Sequence, residues 1–202
     1  EILSGLMRLR QICDTPALFM EDYHGESGKL ESLLELLEQI QTGSHRVLIF
    51  SQFRGMLDII EKELKKMKME TFKITGSTPA KDRQEMTNAF NNGEGDAFLI
   101  SLKAGGVGLN LTGADTVILV DLWWNPAVES QAIGRAHRMG QERNVEVYRL
   151  ITRGTIEEKI QELQESKRHL VSTILDGTES RSSLTVAEIR EILGISTETL
   201  EK

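Results

Sequence analysis

The sequence predicts an α/β fold: a parallel sheet flanked by helices on both faces, followed by a long helix. Three observations carry this. Short strand-like runs recur at 47–51, 71–75, 97–101, 116–120 and 145–151, several of them almost wholly apolar. Such runs suit strands buried on both faces, as in a parallel sheet. Segments with helical spacing separate them, which is the pattern of βαβ units with right-handed crossovers. After the last run, Ile156, Ile160, Leu163, Leu170 and Ile174 form one stripe, predicting a helix to about Leu175.

In chain order, residues 1–28 read as a linker with one short amphipathic helix. Leu3, Leu6, Leu9 and Ile12 mark its apolar side, and it ends before Pro16. From Lys29, Leu30, Leu33, Leu34, Leu37 and Ile40 recur at helical spacing until Gly43. Arg54 to Met67 reads as a helix with Met56, Leu57, Ile60 and Leu64 inward, and Thr78-Pro79 caps another running to about Asn92. Gly154-Thr155-x-x-Glu158 and Thr185-x-x-Glu188 are capping boxes for the long helix and for a short terminal one. The expected organisation is a main lobe at 29–153, a packing helix at 154–176, and a linker with a short helix at 177–202.

At 202 residues, with 39% hydrophobic and 27% charged, the chain has the composition of a globular domain, and no apolar run reaches transmembrane length. The single cysteine, Cys13, cannot form an internal disulfide and points to a reducing, intracellular compartment: cytoplasm, nucleoid or nucleus. A net charge of −7 excludes a surface that attracts nucleic acid everywhere. Any nucleic-acid contact must be a local patch. The start at Glu1, mid-pattern, leads us to expect a piece of a longer protein.

The most informative stretch is Gln-Ala-Ile-Gly-Arg-Ala-His-Arg-Met-Gly-Gln, Gln131 to Gln141. Asn125 and Pro126 open it as N-cap and first helical residue. Only Gly134 interrupts a helix through Met139, so Gln131, Arg135 and Arg138, at i, i+4 and i+7, are expected on one exposed face. Two guanidinium forks above an amide suit a cluster of phosphate oxygens. The alternative is a solvated basic face. A second stretch is Ser101 to Gly113, Ser-Leu-Lys-Ala-Gly-Gly-Val-Gly-Leu-Asn-Leu-Thr-Gly, whose glycines let backbone N–H groups approach a phosphate. It lacks the third glycine of a dinucleotide fingerprint. Val-Ile-Leu-Val-Asp, ending at Asp121, mimics a Walker B strand. No Gly-x-x-x-x-Gly-Lys-Ser/Thr exists in the chain and Asp121 is followed by leucine, so a P-loop site cannot be assembled here.

The 131–141 stretch resembles the last motif of superfamily-two helicases, and more closely that of the Swi/Snf branch of ATP-dependent DNA translocases. The 101–113 stretch resembles helicase motif V, and Met-Arg-Leu-Arg-Gln-Ile-Cys, Met7 to Cys13, resembles, with different spacing details, the segment before the second Swi/Snf lobe. Ser51-Gln52-Phe53 resembles motif IV, and Gly76-Ser77-Thr78 a phosphate-contacting motif. Both tripeptides could equally be plain helix caps, and Lys81 and Arg83 could add charge beside them. The resemblance covers about 28–176. It implies the second RecA-like lobe of such a motor. Arg135 and Arg138 would be arginine fingers, and Gly106, Gly108 and Gln131 would face ATP. Ser51, Gln52, Gly76, Ser77, Ser101, Lys103 and Trp124 would face double-stranded DNA, Trp124 near the minor groove. Trp123 and Trp124 cannot both be buried on one face, so at least one belongs at a loop surface. ATP would come with Mg²⁺, whose ligands, like the P-loop, are expected on the missing N-terminal lobe of the same protein. The implied work is translocation and remodelling, with no membrane and no metal held here. Rival readings are a strand-separating DNA or RNA helicase and a non-catalytic interaction lobe.

Overall fold

The computed structural model describes residues 2–20, 22–102, 109–136, 143–173 and 185–194. Its elements run α1 (Ile2–Asp14), a 3-10 turn (Pro16–Leu18), α2 (Gly28–Thr42), β1 (Val47–Ser51), α3 (Arg54–Lys66), β2 (Thr71–Ile74), α4 (Ala80–Asn91), β3 (Ala97–Ser101), β4 (Thr116–Leu119), α5 (Pro126–Ile133), β5 (Glu146–Arg149), α6 (Ile156–Thr173) and α7 (Val186–Leu193). The strands form one sheet, ordered β2-β3-β1-β4-β5, and every pairing is parallel. This is the expected fold class, with strand limits within two residues of those read from the sequence.

The central strands bury both faces, and the two-residue period divides them between two cores. Val47, Ile49, Ala97, Leu99 and Ile118 pack with Leu33, Leu37, Met56, Leu57 and Ile60 of α2 and α3. Leu48, Phe50, Phe98, Ile100 and Val117 pack on the other face with Phe90 of α4 and Ala132 of α5. A third cluster closes the C-terminal end of the sheet: Leu6 of α1, Leu122, Ile160 and Leu163 of α6, and Ile192 of α7, with Trp124 against it. At the opposite end, Arg46 lies 3.9 Å over the Phe90 ring and donates to the Gly95 and Gly113 carbonyls, each at 2.9 Å. Gly113 has to be glycine here, because a Cβ would come within 2.8 Å of the Phe90 carbonyl and 2.9 Å of Arg46 Nη1.

Four local expectations are corrected. α1 does not bury the expected apolar stripe: Leu3, Leu9 and Ile12 are exposed, Leu3 by 54%. Its buried face is Leu6, Arg10 and Asp14, at i, i+4 and i+8, because both charged residues find partners inside. Thr78 does not cap α4: Pro79 holds the N-cap position, and the Thr78 hydroxyl accepts the Thr75 N–H at 3.0 Å. Glu158 reaches back to the Gly154 N–H at 2.9 Å, while the Thr155 hydroxyl accepts the Glu157 N–H at 3.2 Å, one residue short of the expected box. The predicted helix through Met139 ends at Ile133; residues 137–142 lie outside the described residues. The box at Thr185 and Glu188 is complete, and α7 ends on Gly194 at φ 65°.

Lys29 opens α2 facing inward. Its ammonium donates to Asp14 Oδ1 at 2.8 Å, Glu157 Oε1 at 2.5 Å and the Val120 carbonyl at 3.0 Å, tying α1, α2, α6 and the end of β4 together. Burial alone would lower its pKa, but Asp14 and Glu157 outweigh this and hold it above the ordinary lysine value. Burial, reinforced by Asp121, pushes the Asp14 carboxyl well above the usual carboxylate range. Asp14 Oδ2 is buried with no hydrogen-bond partner among the described residues. Lys29→Met keeps the volume but strands these carboxylates, and should cost about 3–5 kcal/mol near neutral pH. A carboxyl with a raised folded-state pKa favours the folded state at low pH and loses that advantage as pH rises. The penalty should therefore shrink on acidification toward the unfolded carboxylate pKa. Urea unfolding across pH checks this; a cost below about 1 kcal/mol, or one growing with acid, contradicts it.

Candidate nucleotide and DNA site

In a parallel sheet all C-terminal strand ends share one edge, and ligands bind outside it. Register aligns Ser51 with Ser101, Phe50 with Leu119 and Ile74 with Ile100. Ser51, Gln52, Gly76, Ser77, Ser101 and Trp124 therefore all lie at that edge. Their exposure differs. Gly76 and Ser77 are exposed, Gln52 and Trp124 are half-buried, and Ser101 is buried. Ser51, expected as a direct contact, is fully buried instead. Its hydroxyl donates to Asp121 Oδ2 and accepts the Phe53 N–H at 3.0 Å, so it braces the turn from below.

Asp121 organises this edge. Its other oxygen, Oδ1, accepts the Gln52 N–H at 3.1 Å and Gln52 Nε2 at 2.8 Å. The residue that mimics a Walker B aspartate thus binds the end of β4 to the end of β1. The neighbouring turn is held differently: Thr75 and Ser77 hydroxyls lie 3.0 Å apart, and Arg83 donates to the Thr78 carbonyl at 2.8 Å and the Gly76 carbonyl at 3.2 Å. Arg83 is therefore a clamp on that turn, while Lys81 is exposed and lies 3.7 Å from Glu85.

The loop after β4 carries both tryptophans, half-buried and stacked with centroids 4.8 Å apart at 32°. Its backbone is held from inside. Glu129 of α5, fully buried, accepts the Trp123 N–H at 3.1 Å, Arg149 Nε at 3.1 Å and Gln164 Nε2 at 2.6 Å. Gln164 also donates to the Trp123 carbonyl. Arg10 completes the support: its guanidinium is 4.8 Å from the Trp124 ring, 5.6 Å from Trp123 and 5.7 Å from Phe53. Arg10, Glu129 and Gln164 were not anticipated. The available signal was spacing, since Arg10 follows Leu6 by one helical turn and Glu129 precedes Ala132 on a face that packs.

The second group of candidates lies elsewhere. α5 leads from the C-terminal end of β4 back toward the start of β5, so its far end sits on a flank of the sheet. Gln131 is exposed there. Arg135, expected on the same open face, is only 6% exposed. After Gly134 the chain tightens, with Arg135 N bonded to the Ala132 carbonyl and Ala136 N to that of Ile133, both at 3.1 Å. Such i→i−3 turns advance about 120° per residue, not about 100°, which carries Arg135 round toward the interior. Its Nη1 faces the Leu109 carbonyl at 3.5 Å, and its own carbonyl accepts the Leu111 N–H at 2.9 Å. Two stretches far apart in sequence thus meet at Arg135. Lys103, Gly106, Gly108, Arg138 and Gln141 lie outside the described residues.

Among the described residues no helix is long and apolar enough to cross a membrane. The helicase conserved C-terminal domain family matches residues 28–140. A Bacillus subtilis protein named as a candidate ATP-dependent helicase/translocase, YwqA, is 43% identical over 96% of this chain, which spans 22% of that protein. The chromatin-remodeling ATPase INO80 of Saccharomyces cerevisiae is 40% identical over 85% of the chain, which spans 12% of it. Among solved structures, the Sulfolobus solfataricus SWI2/SNF2 ATPase core in complex with dsDNA superposes with a TM-score of 0.73. It is 36% identical over 95% of this chain and 41% of its own length. The C-terminal part of the Fun30 ATPase domain superposes at 0.69, with 35% identity over 94% of this chain and 62% of its own. The chain thus belongs to the helicase conserved C-terminal domain family, and is a RecA-like C-terminal lobe of the Swi/Snf type.

Proposed function

We propose that this lobe is the second half of an ATP-dependent double-stranded DNA translocase or remodeller. ATP binds between it and a first lobe that supplies the P-loop and the Mg²⁺ ligands. Gly106, Gly108 and Gln131 line this lobe's side of the nucleotide. Arg135 and Arg138 stabilise charge on the transferring γ-phosphoryl. At the sheet edge, Gln52, Gly76, Ser77, Ser101 and Trp124 form a narrow DNA track, with Ser51 bracing Gln52 through Asp121, and Lys103 adds a positive charge to it. Closure around ATP and reopening after hydrolysis then shift the two lobes along the duplex.

The observation that best supports this is the gathering of Gln52, Gly76, Ser77, Ser101 and Trp124 on one strand edge. It accounts for how a chain of net charge −7 grips a polyanion: amides, hydroxyls and a lysine act locally. The sulfolobal relative, described as bound to dsDNA, favours duplex translocation over strand separation. Arg135 is buried, with Nη1 3.5 Å from the Leu109 carbonyl, so its side chain must swing outward to reach a phosphate when the lobes close.

Two outcomes test this. Residues 1–202 alone should hydrolyse no ATP above background, with or without duplex DNA, because no Gly-x-x-x-x-Gly-Lys-Ser/Thr is present; DNA-stimulated turnover by this piece would sink the two-lobe assignment. In the full-length protein, Arg138→Ala and Arg135→Ala should each lower the hydrolysis rate by about 10³- to 10⁵-fold. Arg135→Ala should also destabilise the fold by about 1–3 kcal/mol, since it removes a buried hydrogen-bonding group. Arg→Lys should rescue turnover poorly at either position. Steady-state ATPase assays beside thermal melts separate the two effects; a folded variant turning over normally removes the finger role.

A further inference from the structure

Arg10 belongs to neither group of candidate residues, yet it touches the loops that carry the DNA track. It is 1% exposed, and a guanidinium at that depth is tolerable only with partners on every side. Those partners are specific. Nη1 donates to Gln52 Oε1 at 2.8 Å. Nη2 donates to the Leu122 carbonyl and lies 3.9 Å from Asp121 Oδ1. The guanidinium lies within cation–π range of Phe53, Trp123 and Trp124, with Trp124 the closest.

The chemistry of these contacts sets geometry. Gln52 has its carbonyl oxygen on Arg10 and its amide nitrogen on Asp121, so the two charges fix which way the amide points. One of its two amide hydrogens is spent on Asp121, leaving the other for a phosphate oxygen. Trp124 packs its stacked ring against the same cation, which limits how the indole can tilt. Glu129 and Gln164 hold the Trp123 backbone, but among the described contacts Arg10 alone reaches both Gln52 and the tryptophan rings.

We propose that Arg10 is a positioning residue for the DNA track: from α1 it holds Gln52 and Trp124 in the geometry that grips duplex DNA. The proposal rests on the reading of Trp124 as a DNA contact. It makes α1 part of the motor's working surface and assigns it the task of setting grip strength.

The test uses the full-length protein, with ATP turnover measured against duplex DNA concentration. Arg10→Met, Arg10→Lys, Trp124→Ala and the Arg10→Met/Trp124→Ala double variant are compared, each with a thermal melt. Arg10→Met should raise the half-saturating DNA concentration roughly tenfold, since a desolvated cation–π contact and a charged hydrogen bond are lost together. The rate at saturating DNA should change by less than about twofold, a split that general unfolding would not produce. Arg10→Lys keeps the charge but not the fork, and should recover only part of the affinity. Because Arg10 acts partly through Trp124 and partly through Gln52, adding Arg10→Met to Trp124→Ala should weaken binding by clearly less than the roughly tenfold expected in the wild-type background. A folded Arg10→Met with wild-type half-saturation, or fully additive effects, overturns the proposal. Should Arg10→Met not fold, Arg10→Lys decides: unchanged half-saturation overturns it, and a rise of about threefold or more at an unchanged maximal rate supports it. If Trp124→Ala itself leaves half-saturation unchanged, the track reading has failed, and the positioning role falls with it.

Discussion

Two residues beyond β4, Asp121 carries a buried carboxylate that has to be satisfied where the sheet gives out. Three donors meet it from the end of β1: the Ser51 hydroxyl, the Gln52 N–H and the Gln52 amide. A buried carboxylate with fewer partners would be protonated or would open the edge to water. Satisfied in this way, it locks two adjacent strand ends to each other and fixes where the following loops start. The Gln52 turn and the tryptophan loop are held in place by that lock, and Arg10 closes it from the other side at 3.9 Å.

Behind this edge the lobe buries more charge than its cores require. Lys29 with Asp14 and Glu157, Arg10 with Asp121, and Glu129 with Arg149 each join a peripheral helix to the sheet end. Such pairs gain little net stability, because desolvation offsets attraction, but they are unforgiving of displacement. That suits the proposed DNA track, which would have to keep its shape as the lobes close and reopen. The apolar cores on the two faces supply stability, and the charged edge supplies position. The arginine end of α5 is built on the opposite logic. Tight turns and the Leu111 N–H hold its backbone, and the Arg135 side chain lies buried with Nη1 facing the Leu109 carbonyl.

The sheet was legible because its central strands are apolar runs bounded by turns, and both cores follow from their two-residue period. The family was legible because 101–113 and 131–141 carry several fixed residue types at fixed spacing. Orientation within helices was less so. Counting only apolar residues put Leu3, Leu9 and Ile12 inside α1, where Arg10 and Asp14 are found. Spacing from Leu6 marks the positions of Arg10 and Asp14 but does not show that charge is tolerable there, because the partners that make it so come from 29, 52, 121 and 157. Arg135 misled for a related reason: one glycine changed the helix to a tighter turn, and a small change in residues per turn moved a side chain from surface to interior. Ser51, expected to face DNA, is buried instead, since nothing local foretells that Asp121 claims its hydroxyl.

The central claim is that the C-terminal strand edge, organised by Asp121, is where this lobe meets DNA. Amide hydrogen exchange on the full-length protein, with and without duplex DNA, tests it most directly. The account predicts slowed exchange on DNA addition at 52–53, 76–78 and 123–125. It predicts none at the opposite edge, around 44–46, 93–96 and 113–115. Protection confined to that opposite edge, or no change at 52–53 and 123–125 with DNA bound, would contradict it.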